Sequence, residues 1–153
     1  MILIDMREIY LDHASTTYVR DEVLGIMNKY FQDEYGNPGS FHTIGLRPKR
    51  AMAKARELVR DIINAKLIKE IIFTGSGTES VNLAIKGITE KYDTGHIITS
   101  TIEHEAVTET LYYLEHTKGW DITRVPVNKY GLVNPKDVED AIRPDTKLVT
   151  IMY

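Results

Sequence analysis

Apolar residues recur along the chain in two alternating patterns, one with the spacing of a helix and one as short continuous runs. Helical spacing predicts helices over residues 21–31, 44–65, 81–88, 104–116 and 134–142. Apolar runs predict a short extended piece at 9–11 and strands at 71–74, 96–100, 122–127 and 147–153. Strands that alternate with helices are typical of an α/β fold with a mostly parallel sheet.

A Gly-rich turn follows the first predicted strand, in the run FTGSGTES at positions 73–80. Ligands of open α/β sheets bind beyond the carboxyl ends of the strands. Glycines let the backbone approach a ligand, the helix start offers free N–H groups, and Thr78 adds a hydroxyl, which together indicate a phosphate cradle. No Gly-Lys-Ser/Thr follows, and Ser80 replaces the third glycine of a dinucleotide fingerprint. A tight turn with Thr78 as helix cap explains the same residues.

His104 follows the next predicted strand and opens a helix. An imidazole there could stack on a planar ligand and move protons near neutral pH. A metal site from Glu103, His104 and Glu105 is an alternative, but Thr108 stands where a zinc-protease motif needs histidine. An exposed cluster at a helix start is the third interpretation. Taken alone, residues 12–17 predict a helix-entry turn capped by Thr17 or Asp21, and residues 36–42 predict a plain turn.

Composition narrows the class of protein. The chain has 153 residues, 42% hydrophobic and 27% charged, which suits one soluble globular domain. A net charge of −3 argues against non-specific nucleic-acid binding. No apolar run approaches the roughly 18 residues of a membrane span, and the N-terminus lacks signal-peptide features, so a cytoplasmic location is expected. With no cysteine, the chain holds no disulfide, thiolate metal site or cysteine nucleophile.

Five segments, in this order and spacing, resemble the cysteine desulfurases of the NifS/IscS type, within the aminotransferase class V group of pyridoxal-phosphate (PLP) enzymes. The segments are YLDHASTT at 10–17, GNPGSFH at 36–42, FTGSGTES at 73–80, EHEAV at 103–107 and VTIMY at 149–153. The resemblance covers essentially the whole chain. Two departures are Tyr18, where the family usually has proline, and a Gly-Ser-Gly-Thr turn where Ser-Gly-Ala-Thr is commoner.

The resemblance implies a fold and a set of domains. It implies the N-terminal part of the large domain of a PLP-dependent transferase, aspartate aminotransferase-like and of fold type I. Residues 1–16 would form an N-terminal segment that acts as an arm of the small domain and active site. Residues 17–153 would form the first portion of the PLP-binding large domain, cut off inside an apolar strand.

The resemblance also implies roles for individual residues. Gly77 and Thr78 would hold the cofactor phosphate. His104 would stack on the pyridine ring and act as a catalytic proton-transfer group. Ala14, Thr16 and Asn37 would lie at the substrate side or mouth of the active site. No metal is implied.

The implied activity removes sulfur from L-cysteine, leaving L-alanine and an enzyme persulfide for iron–sulfur cluster assembly or tRNA thiolation. The family's cofactor-anchoring lysine and nucleophilic cysteine match nothing here, so the chain alone is expected to be inactive. A homodimer or a complementing C-terminal half is expected, with a sulfur-acceptor scaffold as a further partner and neither nucleic acid nor membrane. Alternatives are a selenocysteine lyase, another class V aminotransferase, or a non-catalytic binding module.

Overall fold

The computed structural model of the chain describes residues 8–153, which divide into two compact units, the first ending at Ile72 and the second spanning Phe73–Tyr153. The first unit contains two helices and a 3-10 turn: α1 (Asp21–Gln32), α2 (Thr43–Ile62) and the turn Ile68–Glu70. Both helices were expected from the apolar spacing, and both are confirmed. The predicted boundary between residues 16 and 17 stays a prediction.

The start of α1 differs from the sequence prediction. Arg20 occupies the N-cap position and makes no side-chain capping bond, so neither Thr17 nor Asp21 caps the helix. Asp21 and Glu22 instead lie in the first turn, where carboxylates interact favourably with the positive end of the helix dipole. Helix α2 has a side-chain cap, because the Gly45 N–H donates to Nδ1 of His42.

The second unit is an α/β layer built on one sheet. Its elements in chain order are α3 (Gly77–Thr89), β1 (His96–Ser100), α4 (Glu105–Lys118), β2 (Asp121–Val125), α5 (Pro135–Ala141) and β3 (Thr146–Thr150). The strand order is β2-β1-β3, and both pairings are parallel. The prediction of a parallel sheet is therefore confirmed, and β1 is its central strand.

One predicted strand does not form. Residues 71–74 pair with none of the strands within residues 8–153. Ile71 is buried and its backbone is extended, with φ −92° and ψ 114°. An apolar run favours this extended conformation, but a strand also needs a neighbour to take up its N–H and C=O groups.

The core of the second unit lies between one face of the sheet and the two longer helices. It consists of Ile85 from α3, Val107, Leu111 and Leu114 from α4, Ile97 and Ile122 from the strands, and Trp120. Packing these side chains together holds α3 and α4 side by side on the sheet. Within residues 8–153, no helix is long and apolar enough to cross a membrane.

A buried histidine also connects the three strands to one another. His96 begins β1, and its two ring nitrogens lie 2.8 Å from the hydroxyl oxygens of Thr146 on β3 and Thr123 on β2. Burial holds the pKa of His96 below its ordinary value, and the Arg143 guanidinium lowers that pKa further. The ring is therefore kept neutral, as an uncharged connection across the sheet.

Candidate active site

Hydrogen bonds within the Gly-rich loop fix the point at which α3 begins. Ser76 is the N-cap, because its Oγ accepts a hydrogen bond from the Glu79 N–H at 3.1 Å. In return, the Glu79 carboxylate accepts from the Gly75 N–H at 2.7 Å. The interpretation in which Thr78 caps the helix is therefore wrong, and its hydroxyl is left for other contacts.

Gly77 and Thr78 are the first two residues of α3. Their N–H groups precede the point where bonding to the carbonyl four residues earlier begins, so they point outward from the positive end of the helix. A Cβ built on Gly77 would meet nothing within 4 Å, so the backbone there is open to a ligand. Two N–H donors and one hydroxyl donor form a set suited to a phosphate group.

His104 is held in one orientation at the start of α4. It is the N-cap, and the Ala106 N–H donates to its Nδ1 at 3.0 Å. Since Nδ1 accepts, the proton of the neutral ring is on Nε2, which is the nitrogen left for proton exchange. The ring itself is exposed to solvent.

The neighbouring Glu103 connects this segment to two strands. Its Oε1 accepts hydrogen bonds from the Ser100 hydroxyl at 2.5 Å and from the Met152 N–H at 2.8 Å. These bonds join the end of β1 to the chain that leaves β3 and support the segment bearing His104. Within residues 8–153, no group of three or more His, Cys, Asp or Glu side chains is arranged to hold a metal ion.

The structure brings Thr78 and His104 together. Both line one concavity of about 480 Å³ between α3 and α4, a volume within the range of about 300–1,000 Å³ usual for small-molecule sites. Lys86 in the third turn of α3 and Tyr113 in the third turn of α4 also line the concavity. The ammonium nitrogen of Lys86 lies 5.5 Å from the centroid of the Tyr113 ring. Thr78 and His104 therefore share one concavity in this unit, and the cofactor roles predicted for them stay predictions.

The other three predicted site residues belong to the first unit. Thr16 accepts a hydrogen bond at its backbone carbonyl from the Tyr10 hydroxyl, at 3.0 Å. The side-chain oxygen of Asn37 accepts from the Gly39 N–H at 2.8 Å, which makes the turn predicted there. Ala14 lies in the exposed turn before Thr16. Their predicted role at the mouth of the site stays a prediction.

Sequence reasoning missed several residues that line the same concavity, and two of them contact each other. Asn82 on α3 and Thr110 on α4 lie between the two ends just described, and the Thr110 hydroxyl donates to Oδ1 of Asn82 at 3.0 Å. A signal for Asn82 exists in the sequence, since residues four apart share one face of a helix and Asn82 follows Thr78 by four. Thr110 likewise follows Ala106 by four, so it lies on the same face of α4 as Ala106, which is close to the predicted site residue His104.

Comparisons with known proteins agree on one family. The model of the family described as aminotransferase class V matches residues 9–153. The cysteine desulfurase IscS of Dictyoglomus turgidum is 46% identical over 149 residues, which cover 96% of this chain and 37% of that protein. Among solved structures, a NifS-like protein superposes with a TM-score of 0.85 at 40% identity, covering 90% of this chain and 38% of that one. SspA in complex with cysteine gives 0.87 at 40% identity, covering 93% and 41%.

These matches confirm the α/β fold and the resemblance found in the sequence. The chain spans about 37% of the length of the IscS relative. The match over residues 9–153 includes the Gly-rich turn, His104 and every strand of the sheet. The chain therefore belongs to the aminotransferase class V family, with cysteine desulfurases of the IscS and NifS type among its relatives.

Proposed function

We propose that this chain forms part of the PLP site of a cysteine desulfurase, an enzyme that takes sulfur from L-cysteine, leaving L-alanine and an enzyme persulfide. The observation that carries the proposal is that Thr78 and His104 line one concavity. Each side chain suits a different part of PLP, the phosphate and the flat ring. Membership of the aminotransferase class V family is the reason for proposing PLP as the cofactor.

The start of α3 fits the phosphate. The N–H groups of Gly77 and Thr78, together with the Thr78 hydroxyl, offer donors at the positive end of a helix. The Glu79 carboxylate is already engaged by the Gly75 N–H, and the Ser76 hydroxyl by the Glu79 N–H. These bonds hold the loop in shape while leaving the donors of Gly77 and Thr78 for the ligand.

The start of α4 fits the ring. The Nδ1 bond to the Ala106 N–H fixes how the imidazole of His104 is turned, so its face can stack on an aromatic ring. Nε2 is then the atom at which His104 holds or moves a proton. When bound, PLP supplies the electron sink that stabilises negative charge at the substrate carbon.

Other parts of the proposal concern residues outside this concavity. The 153 residues contain no cysteine, so in this proposal another segment or chain supplies the sulfur-accepting thiol. Residues 1–16 would serve as an arm of the active site, with Ala14, Thr16 and Asn37 at its mouth and residues 17–153 in the large domain. The working enzyme would be a cytoplasmic homodimer, or this chain with a complementing C-terminal half, that passes sulfur to an acceptor scaffold.

Titration of the full chain with PLP tests the phosphate end. A hydrogen bond to a charged group contributes about 1.5–3 kcal/mol, so Thr78→Ala is expected to weaken PLP binding by about tenfold or more. Thr117→Ala, an exposed threonine near the end of α4, is the matched control and should bind as the wild type does. Absence of PLP binding by the wild-type chain, or equal affinity in Thr78→Ala, would overturn the proposal.

A pair of substitutions at His104 separates its two contacts. His104→Asn keeps a side-chain oxygen that can cap α4 but removes the ring, and we expect PLP affinity to fall. His104→Phe keeps a flat ring but removes the cap, and we expect most of the affinity to remain while the melting temperature falls. Affinity that follows the cap rather than the ring would show that His104 only starts the helix.

A further inference from the structure

We propose that Asn82 and Thr110 form a bridge that sets the position of Thr78 relative to His104, and so matches the site to a ligand that must reach both. The inference rests on the proposed function, and it assigns positioning residues rather than new ligand contacts. Asn82 and Thr110 line the concavity between the two residues they would position.

On the α3 side, the bridge starts at Thr78. Nδ2 of Asn82 donates to the Thr78 carbonyl at 3.0 Å, and Oδ1 of the same amide accepts from the Thr110 hydroxyl at 3.0 Å. A carboxamide is suited to this place because it offers a donor and an acceptor on one planar group. An apolar side chain would lose both contacts.

On the α4 side, the bridge continues to His104. Thr110 Oγ1 also lies 2.8 Å from the Ala106 carbonyl, so its single hydrogen is shared between that carbonyl and Oδ1 of Asn82 in a three-centre bond. The Ala106 N–H in turn donates to Nδ1 of His104. A threonine bond to the carbonyl four residues earlier is ordinary within a helix. The bond to Asn82 is not, because it joins residues 28 positions apart in the chain. Thr110 is only 4% exposed, so water has little access to replace the hydrogen bond between Thr110 and Asn82.

The apolar core does not make this bridge redundant. Ile85, Leu111 and Leu114 hold α3 and α4 against the sheet, but their side chains belong to the core cluster and none of them lines the concavity. Asn82 and Thr110 instead contact the first turns, where Thr78 and His104 lie. Removing the bridge should therefore loosen the spacing of these two residues while the core keeps the unit folded.

Two ligands of different reach test the bridge in the full chain. Inorganic phosphate needs only the α3 end, whereas PLP needs both ends. Thr110→Val keeps the shape of the side chain but removes its hydroxyl, and we expect about a tenfold loss of PLP affinity with phosphate affinity, followed by ³¹P NMR, unchanged. Thr110→Ser restores the hydroxyl and should restore PLP affinity. Melting temperatures measured in parallel report the fold.

The outcomes are distinct. Wild-type PLP affinity in Thr110→Val, with a loss in Thr78→Ala, overturns the bridge but leaves the proposed function standing. Failure of the wild-type chain to bind PLP overturns both. Equal losses for phosphate and PLP, or no rescue by Thr110→Ser, would mean general damage and overturn the positioning role. If Thr110→Val does not fold, Asn82→Ala is judged by the same selective loss of PLP affinity.

Discussion

Gly77 and Gly119 lie at opposite ends of helices and are glycines for different reasons. Gly119 ends α4 with φ at +69°, in the left-handed region that other residues rarely adopt. Gly77 begins α3, and a Cβ added there would have open space. Of these two positions, the backbone favours glycine at Gly119, whereas at Gly77 a methyl group is compatible with the fold.

This difference leads to opposite predictions for one substitution. Gly77→Ala is expected to raise the free energy of unfolding by up to about 0.5–1 kcal/mol, because alanine is the better helix former, and to leave PLP binding intact because the N–H remains. Gly119→Ala should lower the free energy of unfolding by about 1–2 kcal/mol, the cost of a left-handed residue with a Cβ. Urea unfolding of both variants checks the signs, and destabilisation by Gly77→Ala would contradict this account of the site.

Sequence reasoning reached some residues of the site and not others. Thr78 and His104 could be predicted because each follows an apolar run and starts a helix. The sequence suggested Thr78 as the helix cap, whereas the cap is Ser76. To tell the two apart, one must know where the helix begins to within two residues, which local patterns do not resolve. The contact between Asn82 and Thr110 spans 28 positions, so only the packing of α3 on α4 reveals it.

At the scale of elements, β1 carries the sheet. All five of its residues are buried, and it pairs with β2 on one side and β3 on the other. Its bounds, His96–Ser100, agree with the predicted strand, and the successive residues Ile97 and Ile98 give each face of the strand an apolar side chain, as burial on both faces favours. The run at 71–74 has the same local character but finds no partner strand within residues 8–153, and pairing is what a local pattern cannot supply.

The buried histidine of this strand makes the sheet sensitive to acid. Burial and Arg143 lower the pKa of His96, while Asp121 and Asp145 oppose them. In the unfolded chain His96 regains its ordinary pKa of 6.5 and binds a proton more readily than in the folded chain. The resulting stability is complete above that pKa and is lost as the pH falls from it toward the lower pKa of the folded state.

Thermal unfolding between pH 7.5 and pH 5 measures this effect. We expect the melting temperature to fall across this window, and His96→Gln to flatten the fall because glutamine does not titrate. His116→Gln is the control, since the side chain of His116 is exposed and lies on α4. A fall of the same steepness in His96→Gln would assign the acid sensitivity to other groups.

At the scale of the molecule, apolar surface remains exposed in each unit. Helix α1 buries none of its residues, and Val23, Ile26 and Phe31 are among its exposed apolar side chains. In the other unit, Val149 on β3 is 42% exposed, and β3 has β1 as its one neighbour among the strands of residues 8–153. Exposed apolar patches and open strand edges favour association with another chain.

We therefore expect the chain to associate rather than to stay a monomer in solution. Size-exclusion chromatography with light scattering should show a mass above 17.5 kDa that rises with concentration. Phe31→Lys should reduce this association by placing a charge among the apolar residues of α1. Asn28→Lys adds the same charge at an exposed polar position of α1 and should change it less. A monomer at every concentration would count against the expected homodimer or complementing partner.

The central position of β1 also determines the order in which the sheet can assemble during synthesis. His96 of β1 contacts Thr146 of β3, which is 50 positions later in the chain, so β1 is synthesised well before β3. At a synthesis rate of about 5–20 residues per second, that interval lasts roughly 2.5–10 s. During those seconds the most buried strand of residues 8–153 still lacks one of its two neighbours, and it is in this interval that a chaperone would have most to protect.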